Sequence, residues 1–122
     1  MKNKIILLIF FLFFNLLTIN NILGDEIIFE TPEIEIFENG NLLKAHKGGK
    51  AKTDKNTEIV ADKFEYNKTT SILTANGNVL ATDSLNKTSI KAEEIEYNNI
   101  TSEIIATKNV ELRDYLKDVV IN

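Results

Sequence analysis

An internal repeat constrains the fold of this chain more than any other feature of its 122 residues. Residues 59–83 align without gaps on residues 90–114 at an offset of 31, and 11 of the 25 aligned positions are identical. A more divergent copy precedes them in residues 34–54, where the sequence LLKA matches ILTA of the first full copy. Such a short period is typical of folds that stack copies of one small unit, so we expect each copy to form one unit.

Each copy is predicted to form a strand, a turn and a returning strand. Both full copies are rich in Ile, Val, Thr and Tyr, and neither has the apolar spacing of an amphipathic helix. The polar stretches over residues 67–71 and 98–102 predict the turns. Two hairpins and the divergent third give about six strands with one apolar face each, which suits a β-sandwich, a jelly roll or a β-solenoid.

The outgoing strand of each copy is predicted to bend in its middle. Its apolar residues occupy odd positions at Ile59 and Ala61 but even positions at Phe64 and Tyr66, and the second copy changes phase at the equivalent place. Because side chains alternate between the two faces of a strand, this change of phase predicts a bulge or a corner at residues 62–63.

The returning strand contains the dipeptide Asn76-Gly77, which by itself is typical of a hairpin turn. The second copy has Thr107-Lys108 at the same place, and this pair does not favour such a turn. We therefore expect both dipeptides to lie within a strand, with Gly77 marking a bulge.

The N-terminal residues belong to a different physical class. Two lysines precede an apolar run over residues 5–17, which has the length of a signal-peptide core and falls short of the roughly 20 apolar residues that a spanning helix needs. A small residue, Gly24, is followed by acidic residues. We expect residues 1–24 to be a signal peptide and residues 25–122 to be the exported domain, with an uncleaved anchor over residues 5–23 as the alternative.

Composition excludes several classes of function. The chain has no cysteine and a single histidine, His46, so thiol catalysis, disulfides and Cys/His zinc sites are excluded. Its net charge of −4 does not suit a nucleic-acid surface. No nucleophile elbow or phosphate loop is present in the sequence. The carboxylates of Glu93, Glu94 and Glu96 are split between the two faces by strand alternation, which does not suggest a paired acid/base site. We expect neither an enzyme nor a cofactor, metal or nucleic-acid partner.

The repeat motif resembles that of the OstA-like (organic solvent tolerance) family. That repeat occurs in LptA-like periplasmic lipopolysaccharide-transport proteins and in the N-terminal domain of the outer-membrane lipopolysaccharide-assembly protein LptD. The resemblance is carried by an Ala-acidic pair, an X-Glu-Tyr-Asn segment and an Ala-X-X-Asn-Val segment: Ala61-Asp62, Phe64-Glu65-Tyr66-Asn67 and Ala75-Asn76-Gly77-Asn78-Val79 in the first copy, and Ala92-Glu93, Ile95-Glu96-Tyr97-Asn98 and Ala106-Thr107-Lys108-Asn109-Val110 in the second.

This resemblance covers about residues 26–122 and implies an all-β, open, twisted β-jelly roll built from antiparallel hairpins of 31 residues. It also implies a periplasmic or outer-membrane-associated protein whose apolar interior takes the lipid A acyl chains of lipopolysaccharide. Other jelly-roll proteins of the lipopolysaccharide-transport bridge would join it through edge strands. The large barrel of the assembly protein is absent from this sequence. A fragment, a truncated gene and a short bridge protein all stay open, because the repeat begins again near residue 116.

Two sets of residues are candidates for these roles. Apolar residues on the inward faces are candidates for lining a lipid slot: Phe64, Tyr66, Leu73, Val79, Ile95, Tyr97, Ile104 and Val110. Residues of the terminal strands are candidates for partner edges: Ile34, Ile36, Val119 and Ile121.

Each candidate set has an ordinary alternative. Apolar stripes at strand spacing usually fill a core, so the lining residues equally suit a closed β-repeat module that stacks edge to edge on a partner without binding lipid. The lysine-rich stretch over residues 44–55 either forms a solvated face or meets the phosphates of a lipid headgroup.

Overall fold

The computed structural model describes residues 26–122, and the predicted signal peptide lies outside these residues. The described chain is all-β, as the sequence predicts, with one short 3-10 turn at Glu38–Gly40. No helix among the described residues is long and apolar enough to span a membrane. The strands are β1 (Ile28–Glu30), β2 (Glu35–Phe37), β3 (Leu42–Ala45), β4 (Gly49–Lys52), β5 (Thr57–Ala61), β6 (Lys63–Asn67), β7 (Ile72–Asp83), β8 (Thr88–Asn98), β9 (Ile104–Thr107), β10 (Glu111–Asp114) and β11 (Val119–Ile121).

Two long strands, β7 and β8, pair with each other on both sides of a bulge and divide the sheet into two arms. On one side of the bulge the neighbouring strands are β1, β4, β5, β10 and β11, which we call the first arm. On the other side they are β2, β3, β6 and β9, the second arm. Each arm includes one half of β7 and one half of β8, and every strand pair is antiparallel.

A corner separates the two arms, at the place where the apolar phase changes. The Asp62 N–H donates a hydrogen bond of 3.0 Å to the Gly77 carbonyl, and the Glu93 N–H donates one of 3.0 Å to the Lys108 carbonyl. In β7 the register shifts between Asn76 and Val79 while the strand continues. The predicted corner and the predicted bulge at Gly77 are both confirmed. Because the corner splits several strands in two, the sheet has eleven strands and not about six.

The predicted turns are also confirmed, and each is held by an asparagine at its start. Asn67 Oδ1 accepts hydrogen bonds from the N–H groups of Thr69 and Thr70. Asn98 Oδ1 does the same for Ile100 and Thr101. Short polar side chains that bond to the backbone two or three residues on favour a turn over continued strand, and this fixes where the second arm ends.

The two arms face each other across one apolar core. Phe29 of the first arm packs against Phe64 and Tyr66 of the second, with ring centroids 6.1 and 6.2 Å apart. At the far side from the corner, Lys55 Nζ donates a hydrogen bond to the Ile100 carbonyl, which joins a turn of one arm to a turn of the other. The sheet does not close on itself, so the architecture is the open β-jelly roll that the sequence predicts.

Candidate functional site

The strand register aligns the inward-facing residues in rows that cross the whole sheet. Directly paired residues share a face, so a row can be followed from strand to strand. The first arm carries the row Phe29, Ala51, Ile59, Ala81, Ile90, Leu112 and Ile121. The second arm carries Ile36, Leu43, Tyr66, Leu73, Tyr97 and Ile104, and beside it Ala45, Phe64, Ala75, Ile95 and Ala106.

Small and large residues alternate along these rows. In the first arm Ala51 and Ala81 flank Ile59. In the second arm Phe64 lies between Ala45 and Ala75. Alternation of this kind lets the large side chains of one arm fill the spaces left by the small side chains of the other, which gives a thin and continuous apolar interior.

Burial along the rows changes from the middle of the sheet to its ends. Ile59, Leu73 and Ile95 in the middle are completely buried. At the C-terminal end, the second-arm row ends at Ile104, which is partly buried, and the first-arm row ends at Ile121, which is 57% exposed. The apolar interior is therefore packed in its middle. Its rows become exposed at the C-terminal end and also at Ile36, the N-terminal end of the second-arm row, which is 66% exposed.

Six of the eight predicted lining residues lie together in the buried cluster of the two arms: Phe64, Tyr66, Leu73, Val79, Ile95 and Tyr97. Ile104 is partly buried and packs against this cluster. Val110 lies between β9 and β10 and is 37% exposed, so it stands apart from the cluster.

The first-arm row contributes interior residues that were not among the predicted lining residues. Ile59 is completely buried, and Ile90 and Leu112 continue its row toward the open end. The sequence signal that identifies Ile59 and Ile90 is the apolar phase of each outgoing strand before its corner, which falls on odd positions in the first copy and on even positions in the second.

The four predicted edge residues lie on or beside terminal strands. Ile36 is in β2, which pairs only with β3. Val119 and Ile121 are in β11, which pairs only with β10. These three residues and Ile34, just before β2, are exposed. With β1 and β9, the sheet has two unpaired edges at each end.

A small polar cluster lies inside the otherwise apolar second arm. Asn99 is 3% exposed, and its Nδ2 donates a hydrogen bond of 3.3 Å to the Tyr66 hydroxyl. The Tyr97 side chain is completely buried, and its hydroxyl has no hydrogen-bond partner among residues 26–122.

Most of the lysine-rich stretch is paired with carboxylates. Lys47 Nζ lies 2.9 Å from Glu33, and Lys52 Nζ lies 3.1 Å from Glu30. The carboxylate of Glu58 raises the pKa of Lys50 through a hydrogen bond and through its charge. The three ion pairs leave little uncompensated positive charge, and this favours the interpretation of the stretch as a solvated face.

No known family profile matches the sequence, and a comparison with characterised proteins finds no match. Among residues 26–122, no three His, Cys, Asp or Glu side chains converge in a way that would hold a metal ion. The candidate site is the apolar interior together with its exposed C-terminal end.

Proposed function

We propose that this chain is an exported lipid carrier of the OstA-like type, which shields the acyl chains of lipopolysaccharide between its two arms and passes them on toward the outer membrane. The protein acts by binding and not by catalysis, without a cofactor. The observation that carries this proposal is the set of apolar rows that run through the sheet and emerge uncovered at its C-terminal end.

The physical requirement for carrying a lipid is a continuous apolar surface that is screened from water. Burial of one methylene group contributes roughly 0.8 kcal/mol to the binding free energy. An acyl chain therefore needs a long row of apolar contacts and not one deep pocket. The rows through Ile90 and Leu112 on one arm and Tyr97 and Ile104 on the other face such a chain from both sides. Ile90, Leu112 and Ile104 are partly exposed, and this supports entry from the C-terminal end.

The unpaired edges support a place in a chain of similar domains. Edge strands have backbone groups that pair readily with another strand. Because both β9 and β11 end at the same side of the molecule, a neighbouring jelly roll that added one strand to each would continue both arms and both apolar surfaces. Periplasmic location and a bridge of jelly-roll partners follow from this role.

Two adjacent residues of β9 provide the test. Ile104 faces the interior and Ile105 is exposed on the opposite face of the same strand. A photo-crosslinking residue is placed at either position and the protein is irradiated in cells that make lipopolysaccharide. We expect lipopolysaccharide adducts at position 104 and none at position 105. Absence of adducts at both positions in a folded protein would contradict the proposal.

A closed stacking module is the second candidate, because the middle of the core is packed. Leu73, Ile95 and Tyr97 are completely buried, and Phe29 packs against the rings of Phe64 and Tyr66 on the opposite arm. A module of this kind would use its edges to bind a partner and would take no lipid. Protein adducts at position 104 without lipid adducts would favour it.

A further inference from the structure

The hydroxyl of Tyr97 is a polar feature of the interior that the fold does not explain. Its hydroxyl oxygen is completely buried without a hydrogen-bond partner among the described residues. Tyr66, at the equivalent repeat position, differs because its hydroxyl accepts a hydrogen bond from Asn99. A buried hydroxyl that donates to nothing is destabilising, so a packed core with no other role favours phenylalanine at this position.

The position of Tyr97 in its row connects this hydroxyl with the open end. Along the row, Tyr97 lies between Leu73, in the packed middle, and Ile104, which is partly buried. An apolar chain that enters from the C-terminal end meets Tyr97 as the first completely buried residue after Ile104. Strand β9, which carries Ile104, is four residues long and pairs only with β8, so little structure has to move for entry.

We propose that Tyr97 is a hydrogen-bonding subsite for the carbonyl oxygen of an ester-linked or amide-linked acyl chain. This inference rests on the proposed lipid-carrying function and adds the class of ligand. The phenolic O–H donates to the acyl carbonyl, while the apolar neighbours of Tyr97 contact the hydrocarbon on either side. A donor without a partner in an apolar slot favours chains that carry such an acceptor over plain hydrocarbon chains.

The test compares two probes that differ by one carbonyl oxygen. Each probe, a monoacylglycerol or the alkyl glycerol ether of the same chain length, competes with a bound apolar dye on the purified protein. We expect the ester to bind about tenfold more tightly than the ether, which is the scale of one buried hydrogen bond. The affinity of Tyr97→Phe for the ester should fall to that for the ether, and its affinity for the ether should equal that of the wild type.

Tyr115→Phe is the matched control, because it removes the same atom from an exposed tyrosine whose hydroxyl accepts from Ser89. We expect this variant to keep the full preference for the ester. The Tyr97→Phe protein should also unfold at the same temperature as the wild type or higher, since it removes a polar group with no partner.

The outcomes separate this inference from the function on which it rests. Three results would each overturn the subsite alone. The wild type could bind both probes equally, or the preference for the ester could survive in Tyr97→Phe. The third such result is a lower unfolding temperature of Tyr97→Phe than of the wild type. If the wild type bound neither probe, the subsite and the lipid-carrying function would both be overturned.

Discussion

The two copies of the repeat have similar sequences but different surroundings. Val79 and Val110 are the same residue at the same repeat position, yet Val79 is 1% exposed and Val110 is 37% exposed. Val79 lies in β7, which has neighbours on both sides in each arm, whereas Val110 lies beside the short strands β9 and β10 at the end of the sheet. The repeat position fixes which face a side chain occupies, and the place in the stack decides whether that face is covered.

The difference begins at a definite point in the second copy. Tyr97 in β8 is as deeply buried as any first-copy residue, because β8 still pairs on both sides. The residues of the returning strand of the second copy, β9 and β10, are partly or fully exposed. Substitutions at equivalent positions of the two returning strands therefore measure how much the cover of an additional strand contributes to the free energy of unfolding.

The largest difference in unfolding free energy is expected between Leu73 and Ile104, which occupy equivalent positions on the two returning strands. Leu73→Ala opens a cavity in the completely buried middle and should cost about 3 kcal/mol of unfolding free energy. Ile104→Ala, at the equivalent position, removes a partly buried side chain and should cost about 1 kcal/mol. Urea unfolding of both variants gives the two values, and equal losses would contradict the inequality of the copies.

The valine pair provides a sharper comparison, because the chemical change is identical. Val79→Ala removes two buried methyl groups and should cost about 2 kcal/mol. Val110→Ala should stay within about 0.5 kcal/mol of the wild type, as is usual for exposed positions. Addition of a lipid that covers the C-terminal end should make the Val110 variant less stable relative to the wild type, if Val110 joins the lipid contacts. No change with lipid would place Val110 outside the site.

This pair also shows how far the sequence could predict the molecule. The change of phase at residues 62–63 predicts the corner, and the repeat shows that Gly77 marks a bulge, because strand alternation and turn chemistry are local. The exposure of Val110 was not predictable in this way, because Val79 and Val110 have the same local pattern. Which end of a stack stays uncovered is a property of the whole sheet. The unpartnered hydroxyl of Tyr97 likewise depends on where Asn99 packs.

The corner differs between the copies in the residue that has the left-handed backbone conformation. Gly77 has φ +84°, and a Cβ at this position would lie 2.6 Å from Asp62 Oδ2. Lys108, its equivalent, has φ +67° with a full side chain. Both corners are closed by an asparagine amide, from Asn78 to Asp62 and from Asn109 to Glu93.

Opposite substitutions at the two corners should have opposite effects. Gly77→Ala introduces both strain and a close approach, and should cost about 1 kcal/mol or more. Lys108→Gly relieves the left-handed strain and should stabilise by about 0.5 kcal/mol. Thermal unfolding checks both signs. Destabilisation by Lys108→Gly would mean that the lysine side chain stabilises its corner by more than its backbone strain costs.

The smallest effect concerns the turns that start at Asp83 and Asp114. In both turns the aspartate accepts two backbone N–H groups, but Asp83 also accepts a hydrogen bond of 2.8 Å from Asn86 Nδ2, where the second copy has Lys117. The hydrogen bonds from the backbone and side chain of Asn86, and then from the Leu85 N–H, hold the pKa of Asp83 below its ordinary value.

A lowered pKa in the folded state gives stability that is present above the ordinary aspartate pKa and is lost as the pH falls through the folded value. Asp83→Asn keeps an oxygen that accepts the backbone bonds but cannot titrate. Its unfolding temperature should therefore fall less steeply than that of the wild type between about pH 5 and about pH 2. Asn86→Lys, which copies the second turn, should remove only the contribution of the side-chain amide and give an intermediate slope. Parallel curves for the wild type and Asp83→Asn would show that protonation of Asp83 does not change the stability of the fold, and would contradict this prediction.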